Sequence, residues 1–282
     1  MHNLNLKILR AGFTRALEDK AVFTGLANNT FTGQINQKND IVKLVQVGDV
    51  DINTYTNGSS ITVQSISDAA LEIIADQDDY FAYSLDTLEY NNMKSALSAE
   101  YARKAAYAAN NTIDEYIAAL YASAGIVQNT NAAPVDMTSL NVADQFLEMG
   151  ESFAVAGIPR ATRKAAIVLP WVTTKLALDA SAIKTENAEV YASGYVGTAH
   201  GWDFVESNNC SVGTASTGAK TRIMCVVPGE SLGYAAAVST IESQPIEDQI
   251  GKTLVKGRFV FGAKVVRPDM TGVLYADKTA EA

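Results

Sequence analysis

The sequence predicts an α+β fold, and three observations point to it. A helical apolar period runs from about Asn92 to Ser123, apolar and polar residues alternate on both sides of an Asn57-Gly58 pair, and helix and strand segments interleave without regular βαβ spacing. The chain has 282 residues, 48% hydrophobic and 19% charged, enough for about two domains with a sizeable core, which excludes disorder.

Residues 1–40 read as an arm. A helix around Ala11 to Phe23 gives way to the polar, Gly-punctuated LANNTFTGQINQKND. The next segment alternates: Val45, Val47, Val50 and Ile52 precede Asn57-Gly58, and Ile61, Val63 and Ile66 follow it, as in a long two-stranded ribbon. Such a ribbon is marginal alone and needs a surface to lie on. AYSLDTL reads as a short strand. In the long helix, Ala102, Ala105, Ala109, Ile113, Tyr116 and Leu120 recur every three or four residues, Gly125 is the expected stop, and QNTNAAPVD reads as a linker.

A second unit starts near Met137. A helix over Val142 to Val155 turns Phe146, Leu147, Gly150 and Phe153 inward and stops at Gly157 and Pro159. AAIVLP reads as a buried strand, Trp171 to Leu178 as a short helix, YASGYVGTAHGWDFVESNN as tight turns with short strands, and TRIMCVVP as another apolar strand. After Pro245, KTLVKGRFVFGAKVVRP reads as one or two strands around Gly257 and Gly262.

Charge is localised. The formal net of −9 comes from 22 basic and 31 acidic residues, yet Leu44 to Met93 holds nine acids and no Lys or Arg, while Gln249 to Pro268 holds five bases and no acid. A chain neutral apart from one acidic block is a poor nucleic-acid coat. Two cysteines, Cys210 and Cys225, make no disulfide framework, so a reducing compartment is expected. No run approaches the ~18–20 apolar residues of a membrane span.

Few residues read as chemistry. His2 lies in the arm and His200 in a Gly-rich turn, and neither cysteine has an electropositive setting. Asp76, Asp78 and Asp79 lack the glycine and glutamate of a calcium loop, and GYVGTAHG is neither a phosphate loop nor a dinucleotide fingerprint. No catalytic residue, metal site or cofactor is assigned. Arm, ribbon and long helix all ask for partner surfaces, as in an assembly subunit.

The order of segments resembles the major capsid proteins of tailed bacteriophages, the Hong Kong 97-like fold. Residues 41–66 look like that family's extended E-loop. The stretch DDYFAYSLDTLEYNNMKSALSAEYARKAAYAANNTIDEYI is similar to its peripheral strand and spine helix, Asp114 included, and DQFLEMGESFAVAGIPRATRKAAIVLPWVTTKL resembles its axial domain. GYVGTAHGWDFVESNN is similar to its Gly-rich hairpin, and KGRFVFGAKVVRPDMTGVLYA to its returning peripheral strand. The resemblance implies an arm (1–40), an E-loop hairpin (41–77), a peripheral domain with the spine helix (78–135), an axial domain (136–235) and returning peripheral strands (236–282).

It also implies a non-enzymatic shell subunit that forms hexamers and pentamers of an icosahedral head around double-stranded DNA, without sequence-specific binding. Its partners would be its own copies with portal and scaffold or decoration proteins, in a virion assembled in the host cytoplasm. An encapsulin-like nanocompartment is the alternative within the fold, and a hydrolase using Asp203 or Glu206 the alternative outside it. Charge adds a docking hypothesis: Asp49, Asp51, Asp68 and Glu72 of one subunit face Lys252, Lys256, Arg258, Lys264 and Arg267, or Arg160, Arg163 and Lys164, of the next. Such pairs set register and association rate more than stability.

Overall fold

The computed structural model describes residues 22–46, 52–54, 57–58, 60, 64, 69–86, 95–178, 195–199, 201–213, 221–246 and 251–278. Helix α1 (Val22–Leu26) leads through turns to β1 (Ile41–Gln46) and β2 (Ala69–Ile74), an antiparallel pair. Every partner couple, from Ile41 with Ile74 to Gln46 with Ala69, is equidistant from the Asn57–Gly58 junction. Gly58 has a φ of 90°, the left-handed value that a tight hairpin turn requires of its glycine. The described part of the returning strand begins at Ala69, and Ile61, Val63 and Ile66 lie outside the described residues. The remaining ribbon positions of that pattern, except Ile52, lie outside the described side chains.

β3 (Gln77–Asp86) pairs with β11 (Lys252–Val265), which pairs with β10 (Leu232–Pro245), all antiparallel. The tail segment is thus one long strand, and β10 is an element that sequence periodicity misses. Helix α2 (Ser95–Ala119), about 37 Å at 1.5 Å per residue, runs on into a 3₁₀ turn at Leu120–Ser123. Its buried stripe is Ala106, Ala109, Asn110, Ile113, Asp114, Ile117 and Ala118, at three- and four-residue steps on one face. Gly125 does not cap the helix through a left-handed turn; a Cβ there would collide with the Pro268 backbone carbonyl, whose oxygen accepts the Gly125 N–H at 2.9 Å.

The expected linker contains two short strands, β4 (Ile126–Gln128) and β5 (Val135–Met137), both parallel to β12 (Thr271–Lys278). Helix α3 (Val142–Val155) has its predicted bounds and stops at Gly157, whose φ is 90°. Its inward residues are Phe146, Met149 and Phe153; Leu147 is 47% exposed, against expectation, because Met149 occupies the stripe one step on. Next come β6 (Lys164–Val168), α4 (Pro170–Leu178), β7 (Tyr195–Ala199), β8 (Trp202–Glu206) and β9 (Thr221–Val226). These strands join β12, β4 and β5 in a seven-stranded mixed sheet, ordered β4-β12-β9-β6-β8-β7 with β5 also on β12. Thr271–Lys278, assigned from resemblance to the returning peripheral strands, therefore lies in the same sheet as the axial segments.

Both faces of that sheet are buried, which is why its strands read as continuous apolar runs. Ala166, Val168, Ile223 and Cys225 join the core under α3 and α4, while Ala165, Ile167, Met224 and Val226 join the core of α1, α2, β10 and β11. Phe146, Phe153, Trp202 and Phe204 fill the first of these, each burial contributing about 2–3 kcal/mol. Phe153 stands edge-on to Trp202 and Phe146 to Phe204, and Trp202 Nε1 donates to the Phe146 carbonyl at 2.9 Å. A third core of Ile35, Val42, Ile73, Ala75, Ala235 and Val260 joins the arm and the ribbon base to β10 and β11.

Candidate assembly surfaces

The ribbon stands on a glycine platform. A Cβ at Gly262 would overlap the Ile74 carbonyl oxygen, and one at Gly233 would meet the Ile73 side chain, so both glycines let β2 lie directly on β10 and β11. At this base Glu72 faces Lys43 across the strand pair at 3.5 Å, and Lys264 Nζ donates to the Glu72 carbonyl at 3.1 Å. The candidate acids Asp49, Asp51 and Asp68 lie outside the described residues. Ile52, on the ribbon, is 97% exposed.

The three-stranded sheet has one face on α2; the other is covered by the ribbon base around Val260 and Gly262 and open to solvent around Lys252, Lys256 and Arg258. Phe81, Tyr83, Val255, Phe259 and Phe261 pack inward, with Tyr116 edge-on to Phe261 at 5.4 Å. The outward face carries Lys252, Lys256 and Arg258 of β11 between acids of its two neighbours. Arg258 grips Asp78 of β3 with two bonds of 2.6 and 2.5 Å, and that hydrogen bonding holds the Asp78 carboxyl below the usual carboxylate range. Lys256 meets Glu242 of β10 at 3.3 Å, and Lys252 stands opposite Asp86 in the register. Arg267 pairs with Asp269 at 3.0 Å. One strand of the acidic block, β3, and one of the basic tail, β11, far apart in sequence, are thus neighbours in one sheet, where Asp78 and Arg258 pair.

The second basic group lies at the foot of the seven-stranded sheet. Arg163 Nε pairs with Asp203 Oδ2 at 2.5 Å, across the parallel strands β6 and β8. Asp203 is one of the two carboxylates named for a hydrolase, and this guanidinium holds it; His200 lies outside the described residues. Lys164 is buried, its ammonium 5.9 Å from the Trp202 ring centre and bonded to the Arg160 carbonyl at 3.4 Å. Burial, then the nearby Arg160 charge, holds its pKa below the usual lysine value. Arg160 and Lys164 border a cleft of about 490 Å³, with Asp144, Leu147, Glu148 and Glu151 of α3 on the opposite wall.

Asp114 is a junction that sequence chemistry does not single out. Its carboxylate accepts the backbone N–H groups of Val22 and Phe23, each at 3.2 Å, and a hydrogen bond from Asn209, so it ties α1, α2 and the loop after β8 together. Burial pushes its pKa up to about 6 against the pull of those donors. The available signal was its place on the buried stripe, four residues after Asn110. Burial also raises the Cys210 thiol to about 12 and the Cys225 thiol further. Among the described residues no cluster of three metal-ligating side chains occurs, and no helix is long and apolar enough to cross a membrane.

Comparison with known proteins adds a family. A model described as phage capsid protein matches residues 74–274, from the end of β2 into β12. Among solved structures, one from Mycobacterium phage Che8 is similar over 93% of this chain and 93% of its own, with TM-score 0.68 and 22% identity. The capsid of cyanophage P-SCSP1u matches with TM-score 0.68 and 18% identity, over 92% and 89% of the two chains. A virus-like particle from Pyrococcus furiosus matches with TM-score 0.54 and 9% identity, over 95% and 98%. No curated protein sequence matches.

Proposed function

The chain belongs to the phage capsid protein family and is a structural major capsid protein, and from that premise we propose that its copies form hexamers and pentamers closing into an icosahedral head around double-stranded DNA. The observation that carries this reading is the family match over 74–274, which takes in β3, the long helix α2 and the seven-stranded sheet as far as the middle of β12. Ile52 supports it: this large apolar side chain between β1 and β2 is 97% exposed and would gain a partner in a shell. The work of such a subunit is self-association, with no catalytic step. Portal and scaffold or decoration proteins, and assembly in the host cytoplasm, belong to the same proposal, as does the division into arm, E-loop, peripheral and axial parts.

The charge-docking hypothesis takes a narrower form. Lys256, Arg258 and Arg267 already have acids within their own subunit, and Lys264 holds the Glu72 carbonyl, so a neighbour's Asp49, Asp51 or Asp68 would have to share these cations. Reversing Asp49 and Asp51 to Lys is expected to slow assembly at low salt; unchanged kinetics would remove the docking idea.

Electron microscopy of the purified protein tests the main reading. Closed shells or hexameric sheets support it, and discrete small particles refute it. Nuclease-protected DNA within shells from infected cells distinguishes a genome container from an encapsulin-like compartment, which would enclose protein.

A further inference from the structure

The cleft between α3 and the start of β6 has walls of opposite sign. Asp144, Glu148 and Glu151 stand on the helix wall around Leu147, which is half exposed, and Arg160 and Lys164 form the other wall. At either end of the helix Leu140 and Val155 are 89% and 82% exposed, so the outward side of α3 is more apolar than a solvated helix face requires. Neither Arg160 nor Lys164 has a carboxylate within ion-pair distance among the described residues, although Lys164 is buried beside a second cation.

We propose that this cleft is a docking surface for a second copy of the chain, in which the acidic wall of α3 on one subunit meets Arg160 of another and Leu147 is covered between them. Charge complementarity selects the occupant. A surface carrying both signs side by side finds its complement in another copy of itself, whereas a purely basic or purely acidic partner would satisfy one wall and be repelled by the other. An incoming carboxylate would give the Arg160 and Lys164 pair the counter-charge that their own subunit does not place there. The inference rests on the reading of the chain as a shell subunit.

The test uses two full-length variants, Asp144→Lys/Glu151→Lys and Arg160→Glu, all three positions being exposed. Each alone should assemble at least about tenfold more slowly than wild type at low salt, because the introduced charges then meet their like across this surface. An equimolar mixture should recover to within about twofold, since Lys on one variant then meets Glu on the other and the remaining acids meet the remaining Arg160. Wild-type speed for either variant, or folded variants that fail to recover on mixing, would overturn the proposal. Wild type runs in parallel: if it forms no shells, the shell reading itself has failed. The neutral variants Glu151→Gln and Arg160→Gln supply a second readout free of charge reversal. Each should reduce the salt dependence of assembly, and the double variant should reduce it no further, because both remove one shared contact; additive effects would refute the contact.

Discussion

Replacing Asp114 by Asn should change how subunit stability depends on pH. Asp114 is 3% exposed, and burial raises its pKa from the ordinary 3.8 to about 6. The folded subunit therefore binds this proton more tightly than the unfolded chain does. Below about pH 4 the group is protonated in both states and costs nothing; as pH rises from about 4 to about 6 the unfolded chain ionises while the folded state keeps its proton, so stability is lost, and above 6 the loss is complete. At about 1.4 kcal/mol per pH unit, the raised pKa corresponds to about 3 kcal/mol by neutral pH. Asn fills the same space and never ionises, but its single oxygen accepts from only one of the Val22 and Phe23 N–H groups and its NH2 faces the other, at a constant cost of about 1–3 kcal/mol.

The gap between wild type and variant should thus favour wild type in mild acid and shift by about 3 kcal/mol toward the variant by neutral pH. Urea unfolding of the unassembled subunit across that range measures the gap. Cys210 and Tyr234, the titratable neighbours whose pKa values the Asp114 charge helps raise, both titrate far above it and leave the comparison clean. Hydrogen exchange at Val22 and Phe23 reports whether the arm contact follows the same curve. Parallel stability profiles for the two proteins would refute the reasoning.

Other outcomes follow from the packing. Gly262→Ala should cost about 3 kcal/mol or prevent folding, because the new methyl falls on the Ile74 backbone carbonyl; a thermal midpoint equal to wild type would show that the ribbon base is not seated as described. Trp202→Phe should lower unfolding free energy by about 2–4 kcal/mol, since it leaves the Phe146 carbonyl without its donor and opens space beside Phe153; denaturant unfolding measures it. Cys210 and Cys225 should resist a thiol reagent at about pH 8 in the native subunit and both react in concentrated guanidinium; rapid native labelling would contradict their burial.

Local signals carried much of this fold. The spacing of Phe146 and Phe153, with Gly157 beyond, determines α3 to the residue, and Asn57-Gly58 marks the turn that the β1–β2 register centres on. What local pattern could not provide was partnership across the chain. β10 begins LGYAAA, without clear alternation, and its Gly233, like Gly262 of β11, makes room for β2 rather than for a side chain of its own. QNTNAAPVD looks like a linker because edge strands of three residues carry no period. The acidic window and the basic tail read as surfaces for another subunit, but the antiparallel pairing of β3 with β11 sets Asp78 against Arg258, and no local feature specifies that pairing. The cleft beside α3 escaped notice for the same reason: its acidic and basic walls come from different elements.

The place of β12 bears on when a subunit becomes competent. This strand, residues 271–278, lies between β9 on one side and β4 and β5 on the other, and its Leu274 and Ala276 are fully buried under α3 and α4. On the ribosome, where synthesis adds about 5–20 residues per second, β4 and β5 emerge well over a hundred residues before the strand that holds them. Until then those edges and the apolar side of α3 remain open. Completion of the sheet therefore waits until residues 271–278 have been synthesised, more than a hundred residues after β4 and β5, with which they pair.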